Sequence, residues 1–220
     1  MKTAIILGAT GLTGGILLQK LIKDPGYSKV KVFTRTSVGL THPKVSEQLL
    51  DLLQLDQQAQ DFTGDVVFCC IGSTQKKTPD EEMYRLVDHG IPVTAARLAK
   101  KNGIGKFVVI SALDANPNSR FFYNRTKGEM ERDVLALEIP ETYILQPALI
   151  NGPRQEKRPF EFLWKKLMKV GDHLLLGRFR KYRSIASETI ASAMVLLEKE
   201  GYFKERIESD EIKELVHARN

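Results

Sequence analysis

The stretch TAIILGATGLTG, residues 3–14, joins a short apolar run directly to a glycine-rich turn. Its first five residues predict a buried strand, and the apolar residues beyond the turn recur at helical spacing from Leu12 through Lys23. Gly8, Gly11 and Gly14 let the chain turn sharply, let a pyrophosphate approach the backbone and let the helix pack on the sheet. The unit predicts dinucleotide binding; the alternative is a turn that merely connects two elements.

Short apolar runs alternate with longer helical patterns along the rest of the chain, and no linker divides it. This alternation predicts an α/β fold, a Rossmann-type doubly wound parallel sheet. One domain is expected over 1–220, with a core at 1–146 and a small C-terminal substrate-side elaboration at about 147–220. The later strands are expected at Val30–Thr34, Val45–Leu49, Asp65–Ile71, Lys106–Ile110 and Thr142–Gln146, and the later helices at 80–101, 120–138, 159–169, 187–199 and 209–217.

Composition excludes several other classes of protein. Hydrophobic residues make up 42% of the 220 residues and charged residues 27%, which is typical of a globular chain and not of a disordered one. No apolar run approaches the roughly 20 residues that cross a bilayer, and no leader precedes the first strand, so a cytoplasmic protein without membrane contact is expected. The adjacent Cys69 and Cys70 would point to opposite faces of a strand, which favours core packing over a disulfide.

The net charge of +6 comes from one basic segment, residues 154–183, which holds ten Lys or Arg and three Asp or Glu. Such a segment serves an anionic ligand, a partner or solubility alone. It carries no recognition motif, so no specific nucleic-acid partner is expected. The four histidines have no cysteine or carboxylate partners at ligand spacing, so no metal site is expected.

The end of the second strand bears on the choice of cofactor. It reads Val-Phe-Thr-Arg-Thr-Ser over residues 32–37, whereas an NAD site usually places an acid here for the ribose hydroxyls. Arg35 can instead pair with a 2′-phosphate, which favours NADP. The alternative is a solvated arginine at a strand end.

Three residues form a candidate reactive group. Ser111 directly follows a predicted strand, and Tyr123 and Lys127 lie four apart on a predicted helix, where such positions share a face. The lysine is expected to lower the pKa of the tyrosine, and the serine to hydrogen-bond the reacting oxygen. Tyr27 and Lys31 repeat the spacing by chance, because they fall in the second strand.

Together these residues resemble the short-chain dehydrogenase/reductase superfamily. More narrowly, the chain resembles the atypical branch of Tat-interacting-protein-like oxidoreductases and related NAD(P)H-binding proteins. One departure is Gln-Pro-Ala at 146–148, where many relatives read Arg-Pro-Gly. The resemblance spans nearly the whole chain and is carried by the glycine pattern at 8–14, Phe68–Thr74, Val87-Asp88, Phe121–Glu129 and Gly152–Pro159, besides the three reactive residues.

The resemblance implies a Rossmann domain that binds NADPH, with Tyr123 as acid/base, Lys127 orienting it and the nicotinamide ribose, and Ser111 polarising a carbonyl. Some members of the branch bind cofactor and partners without a defined reaction. The expected cofactor contacts are Gly8, Thr10, Gly11, Leu12, Thr13, Gly14, Arg35, Asp51, Leu52, Gly72, Ser73 and Thr74.

Two functions follow from these observations. The first is an NADP-dependent oxidoreductase acting on a small carbonyl or alcohol substrate, as a monomer or homodimer. The second is a non-catalytic or weakly catalytic NADPH-binding sensor or regulator. The complete Ser-Tyr-Lys set favours the first, since a sensor has no need to keep it.

Overall fold

A computed structural model describes residues 1–74, 78–151, 175 and 177–219. The strands are β1 (Lys2–Leu7), β2 (Tyr27–Thr34), β3 (Val45–Leu49), β4 (Val66–Cys69), β5 (Lys106–Ile110), β6 (Glu141–Gln146), β7 (Ile150–Asn151), β8 (Ile185–Ala186) and β9 (Arg206–Glu208). The helices are α1 (Leu12–Lys23), α2 (Glu81–Arg85), α3 (Ile91–Lys101), α4 (Phe122–Leu135), α5 (Ser187–Glu200) and α6 (Ser209–His217), with a π-helical turn at Leu86–Gly90 and 3₁₀ segments at Leu52–Gln58 and Gly177–Tyr182.

Seven of these strands form one parallel sheet in the order β3-β2-β1-β4-β5-β6-β9, and β7 pairs with β8 separately. The strand order reverses at β1, which pairs with β2 on one side and with β4 on the other. The connections after β1 and β4 therefore lead to opposite faces and leave a crevice at the carboxyl edge, where doubly wound sheets bind their ligands. The predicted Rossmann-type fold is confirmed.

The central strands β1, β4 and β5 are buried on both faces, and their alternate residues enter two cores. Ala4 and Ile6 of β1 belong to the core that contains α1 and α5, whereas Ile5 and Leu7 belong to the core that contains α3 and α4. Burial on both faces explains why the strands read as continuous apolar runs. Residues beyond 146 contribute to the first core as well, because α5 packs on α1 and β9 extends the sheet beside β6.

The helix predicted in one piece over 80–101 is interrupted by the π turn. The amide of Ile91 bonds the carbonyl of Leu86, five residues back. Pro92 accounts for this, since proline has no N–H and its ring clashes with the carbonyl four residues earlier, which is that of Asp88. The wider turn relieves the clash and leaves the Asp88 side chain fully buried.

Several boundaries differ from the sequence-based prediction. Strands β7, β8 and β9 were not expected, because two or three residues are too short to show a period. The helix predicted at 159–169 and most of the basic segment lie outside the described residues. Within the described residues, no helix has both the length and the apolar content needed to cross a membrane.

Candidate functional site

The turn after β1 is closed by contacts that only glycine permits. Gly8 has φ of +83°, and a Cβ there would lie 2.6 Å from the carbonyl oxygen of Cys70. A Cβ on Gly14 would lie 2.1 Å from the carbonyl oxygen of Gly8, which also accepts a 3.0 Å hydrogen bond from the amide of Gly11. The turn therefore brings the end of β1, the end of β4 and the start of α1 into close contact.

The start of α1 suits an anionic ligand. Its N-cap residue, Gly11, makes no side-chain cap, and the first turn holds no acidic residue. Thr10 and Gly11 are exposed, Leu12 is half-buried and Thr13 is buried. Amide groups at a helix start carry partial positive charge, so this turn fits a pyrophosphate group.

The loop after β2 carries Arg35, whose side chain is exposed as a contact to a 2′-phosphate requires. Glu47 of β3, an acidic residue that was not among the predicted site residues, lies close to this loop. Glu47 accepts hydrogen bonds from the Ser37 hydroxyl at 2.7 Å and from the Val38 amide at 2.6 Å. Both oxygens of this carboxylate therefore hold the loop that follows Arg35.

The segment after β3 contains Asp51 and Leu52, two of the expected cofactor contacts. Asp51 caps the 3₁₀ segment by accepting a 3.1 Å hydrogen bond from the Leu53 amide. Leu52 is 5% exposed and packs in the core that contains α3. Of the two, only Asp51 has a side chain exposed to solvent at this edge.

The loop after β4 connects the expected cofactor residues to the reactive ones. The amide of Ser73 donates to Asp88 Oδ2 at 2.8 Å, and the Ser73 hydroxyl lies 2.7 Å from that of Thr78. A Cβ on Gly72 would lie 3.7 Å from both Asp88 Oδ1 and Lys127 Nζ. The backbone of Gly72 therefore lies close to this pair, and Gly72 and Thr74 are both exposed.

Lys127 forms a buried ion pair with Asp88 of the π turn. Its Nζ lies 2.8 Å from Asp88 Oδ1, and the two side chains are 3% and 0% exposed. Tyr84 adds a hydroxyl 3.3 Å from the same carboxylate oxygen, and its ring lies 6.3 Å from that of Tyr123. The structure thus brings Tyr123 and Lys127 together on α4, as predicted, and adds Asp88 and Tyr84.

Burial and charge act on these groups in opposite directions. Burial alone lowers the pKa of Lys127, but Asp88 and Tyr123 raise it, and the net pKa of Lys127 is raised. Burial raises the pKa of Tyr123, Lys127 lowers it and Asp88 raises it again, with a net increase. Lys127 therefore lowers the pKa of Tyr123 as expected, but burial and Asp88 together outweigh it and the net pKa is raised.

Ser111 lies in a different hydrogen-bond network. It is 4% exposed, and its hydroxyl donates to Glu131 Oε1 at 2.5 Å. Glu131 also accepts from the Gln146 amide at 2.9 and 3.0 Å and from Arg206 Nε at 2.8 Å. Gln146 therefore contributes a neutral donor, and the cation of this network is Arg206 of β9.

Sequence reasoning missed Asp88, Glu131 and Arg206 as members of these networks. Glu131 could have been found, because it continues the four-residue spacing of Tyr123 and Lys127 along one face of α4. Arg206 carried no signal, since its strand has only three residues.

The remaining candidates behave as structural groups. Tyr27 lies in β2, and its hydroxyl donates to Glu198 at 2.5 Å, which removes the chance repeat with Lys31 from consideration. Cys69 is buried in β4, where burial raises the pKa of its thiol to about 11. Both cysteines are free.

The match to a known protein family covers both the glycine turn and the helix that carries Tyr123. A family profile described as NAD(P)H-binding matches residues 8–163, from the first glycine of the turn to beyond the helix that carries Tyr123. The chain belongs to the NAD(P)H-binding family. The resemblance drawn from the motifs is confirmed.

Curated relatives of this family member include proteins from a mammal and from fungi. Protein HTATIP2 of Rattus norvegicus is 34% identical over 169 residues, which cover 75% of this chain and 69% of the relative. Protein FMP52, mitochondrial, of Eremothecium gossypii is 30% identical over 221 residues, covering 99% and 98%. The expected cytoplasmic location is contradicted, because several fungal relatives are named mitochondrial. The amino-acid composition, on which that expectation rested, does not indicate the cellular compartment.

Solved structures with the same fold bind nucleotides. The Bordetella bronchiseptica enzyme WbmH, in complex with NAD⁺, superposes with a TM-score of 0.68 at 18% identity and covers 91% of this chain and 73% of its own. A UDP-N-acetylglucosamine 4-epimerase from Methanobrevibacter ruminantium gives a TM-score of 0.70 at 18% identity, covering 99% and 81%. At such identities the likeness concerns the fold.

Proposed function

We propose that this NAD(P)H-binding protein is an NADP-dependent oxidoreductase that transfers hydride to or from a small carbonyl or alcohol. The observation that carries the proposal is the buried Lys127–Asp88 pair beside Tyr123, tied through the Ser73 amide to the loop after β4. Proton transfer to a substrate oxygen needs a charged group beside a tyrosine at this edge of the sheet, whereas nucleotide binding alone does not require one.

The residues that would hold the cofactor fit its chemistry. Gly8, Gly11 and Gly14 leave room for a pyrophosphate, Arg35 offers a cation for a 2′-phosphate, and the loop at 72–74 borders the reactive group. When bound, the nicotinamide supplies or accepts the hydride.

The protein's own part of the reaction is proton transfer at Tyr123. Because its pKa is raised, Tyr123 carries its proton at neutral pH and donates it from Oη to the oxygen of a carbonyl as negative charge develops there. The ammonium group of Lys127 stabilises the tyrosinate that remains, and Asp88 keeps that lysine charged and in place. In the oxidative direction the tyrosinate form of Tyr123, stabilised by Lys127, accepts the proton of an alcohol.

The cofactor preference follows from Arg35. NADPH is expected to bind at least tenfold more tightly than NADH, a difference of about 1.4 kcal/mol, which is within reach of one charged contact. Arg35→Ala should remove most of this preference, while Lys23→Ala in the last turn of α1 should not. Calorimetry with both cofactors measures it; equal affinities for the unmodified protein would rule the preference out.

Tyr123→Phe tests the reaction itself, because it removes one hydroxyl and keeps the ring. NADPH affinity should change little, whereas turnover in a panel of small carbonyls should fall by roughly 10² to 10⁴. Lys127→Ala should damage both turnover and NADPH affinity, since it also leaves Asp88 buried without its partner. Full activity in Tyr123→Phe would sink the proposed role.

A second function, a non-catalytic or weakly catalytic NADPH-binding sensor, is favoured by one observation. The Ser111 hydroxyl is donated to Glu131, so the third member of the expected reactive group does not reach out to a substrate. A wild-type protein that binds NADPH and reduces nothing in the carbonyl panel would support this function over the first.

A further inference from the structure

Four side chains from four elements meet in a cluster beneath the carboxyl edge of the sheet. They are Ser111 after β5, Glu131 of α4, Gln146 of β6 and Arg206 of β9. Glu131 is the centre, because its two oxygens accept hydrogen bonds from all three of the others. Its side chain is 2% exposed, so the cluster, not water, must satisfy the carboxylate.

The hydroxyl of Ser111 is committed within this cluster. A serine has one hydroxyl proton, and that of Ser111 is donated to Glu131 at 2.5 Å. At 4% exposure the residue presents little surface to the crevice. The proton that would polarise a substrate carbonyl is therefore engaged elsewhere.

Arg206 provides the positive charge that balances the buried carboxylate of Glu131. The Gln146 amide reaches both oxygens of Glu131 but carries no charge, and an ionised carboxylate buried among neutral donors is costly. Arg206 Nε, 2.8 Å from Glu131 Oε2, supplies the missing cation from the edge strand. Arg206 thus supplies, from β9, the positive charge that Gln146 lacks.

We propose that Ser111, Glu131, Gln146 and Arg206 are positioning residues that fix α4 against the sheet, and that Ser111 acts within this cluster and not on the substrate. The inference rests on the proposed function, because α4 carries Tyr123 and Lys127 eight and four residues before Glu131, respectively. Through the guanidinium of Arg206, β9 therefore fixes the position of α4, the helix that carries Tyr123 and Lys127.

The first experiment compares three variants by thermal unfolding. Arg206→Ala should lower the unfolding midpoint by about 5 °C or more, since it leaves a buried carboxylate without its cation. Lys204→Ala is the matched control: its side chain is equally exposed at 47%, lies on the same edge and pairs with the more exposed Glu211, so its midpoint should hardly move. In Arg206→Ala, adding Gln146→Arg should restore at least half of the lost midpoint.

The second experiment separates positioning from catalysis at Ser111. Ser111→Ala and Glu131→Gln should both lower the unfolding midpoint. They should reduce kcat by similar factors, each well below the roughly 10² that the loss of a direct donor to a reacting oxygen costs. NADPH affinity, measured by calorimetry, should follow the midpoint across all variants, including its recovery in the double variant.

The outcomes distinguish this inference from the proposed function. If Ser111→Ala loses kcat by more than a hundredfold with an unchanged midpoint while Glu131→Gln stays active, the cluster is not what holds Ser111, and the proposed reaction stands. If no carbonyl is reduced, the proposed function fails, and the midpoints and NADPH affinities still decide the inference. It is overturned if Arg206→Ala matches Lys204→Ala or if Gln146→Arg gives no recovery.

Discussion

The buried ion pair between Lys127 and Asp88 is supported by two further hydrogen bonds to the carboxylate. Asp88 also accepts from the Ser73 amide and from the Tyr84 hydroxyl. Buried charges without such partners are strongly unfavourable, so each residue here depends on the others. The spacing of Tyr123 and Lys127 in the sequence indicated that they share a helix face. Asp88 was not found in this way, because it lies in a π turn that apolar periodicity does not indicate. Its partner Lys127 is also on a different helix.

The same residues set a pH dependence. A raised pKa keeps Tyr123 protonated through the neutral range, so its ability to donate a proton is lost only as pH rises past the raised value. We expect kcat/KM for carbonyl reduction to stay flat between about pH 6 and 9, and that for alcohol oxidation to rise over the same range. Steady-state rates in both directions measure this. A reduction rate that falls with a midpoint near pH 7 would contradict it.

At the scale of elements, a close backbone approach also holds α4 in place, besides the Glu131 cluster and the Lys127–Asp88 pair. Gly128, next to Lys127, packs so tightly on the preceding loop that a Cβ there would lie 2.2 Å from the backbone carbon of Asn116 and 2.3 Å from the nitrogen of Pro117. Both contacts are with backbone, which cannot rotate away. The loop between β5 and α4 is thus fixed directly beside the reactive lysine.

Gly128→Ala should therefore be severe although alanine favours helices. We expect a loss of about 3 kcal/mol or more in the free energy of unfolding, because overpacking against backbone outweighs the propensity gain of about 1 kcal/mol. Gly105→Ala is the control, since a Cβ there meets nothing within 4 Å. Urea denaturation of both variants measures the difference; equal stabilities would show that the loop can move away.

Sequence reasoning gave correct bounds for some short elements as well as for α1, whereas the longest predicted helix, 80–101, is interrupted by the π turn. The bounds predicted for α1, β3 and β5 agree with the structure, because apolar periodicity and the glycine turn define their ends. In the candidate site, Tyr123 and Lys127 could be predicted together, because their spacing of four residues along one helix places them on the same face. Contacts between elements, such as Ser111 with Glu131 or Asp88 with Lys127, depend on packing that no local pattern encodes.

At the scale of the whole molecule, the two edges of the sheet have different roles. The carboxyl edge carries the glycine turn and Tyr123, whereas the amino edge is closed by a buried acid of α5. Glu198 is 1% exposed and pairs with Lys2 and with the hydroxyl of Tyr27, each at 2.5 Å. Tyr27 thus holds the first two strands against α5. In the sequence, its spacing from Lys31 is the same as that of Tyr123 from Lys127.

This division predicts opposite results for two identical substitutions. Tyr27→Phe leaves the buried Glu198 short of a donor and should cost about 1–3 kcal/mol of stability, with NADPH affinity and turnover preserved. Tyr123→Phe should abolish most turnover and leave the unfolding midpoint within about 2 °C of wild type.

A pH titration sharpens the comparison between these two variants. Burial and Glu198 raise the pKa of Tyr27, so the stability this phenol contributes is present below its ordinary pKa of about 10 and is lost as pH rises beyond it. The stability gap between Tyr27→Phe and wild type should accordingly be constant from neutral pH to about 9 and shrink in stronger alkali. Denaturant unfolding across this range measures the gap. A gap that is absent at neutral pH, or a Tyr123→Phe variant as unstable as Tyr27→Phe, would show that the two edges are not separable in this way.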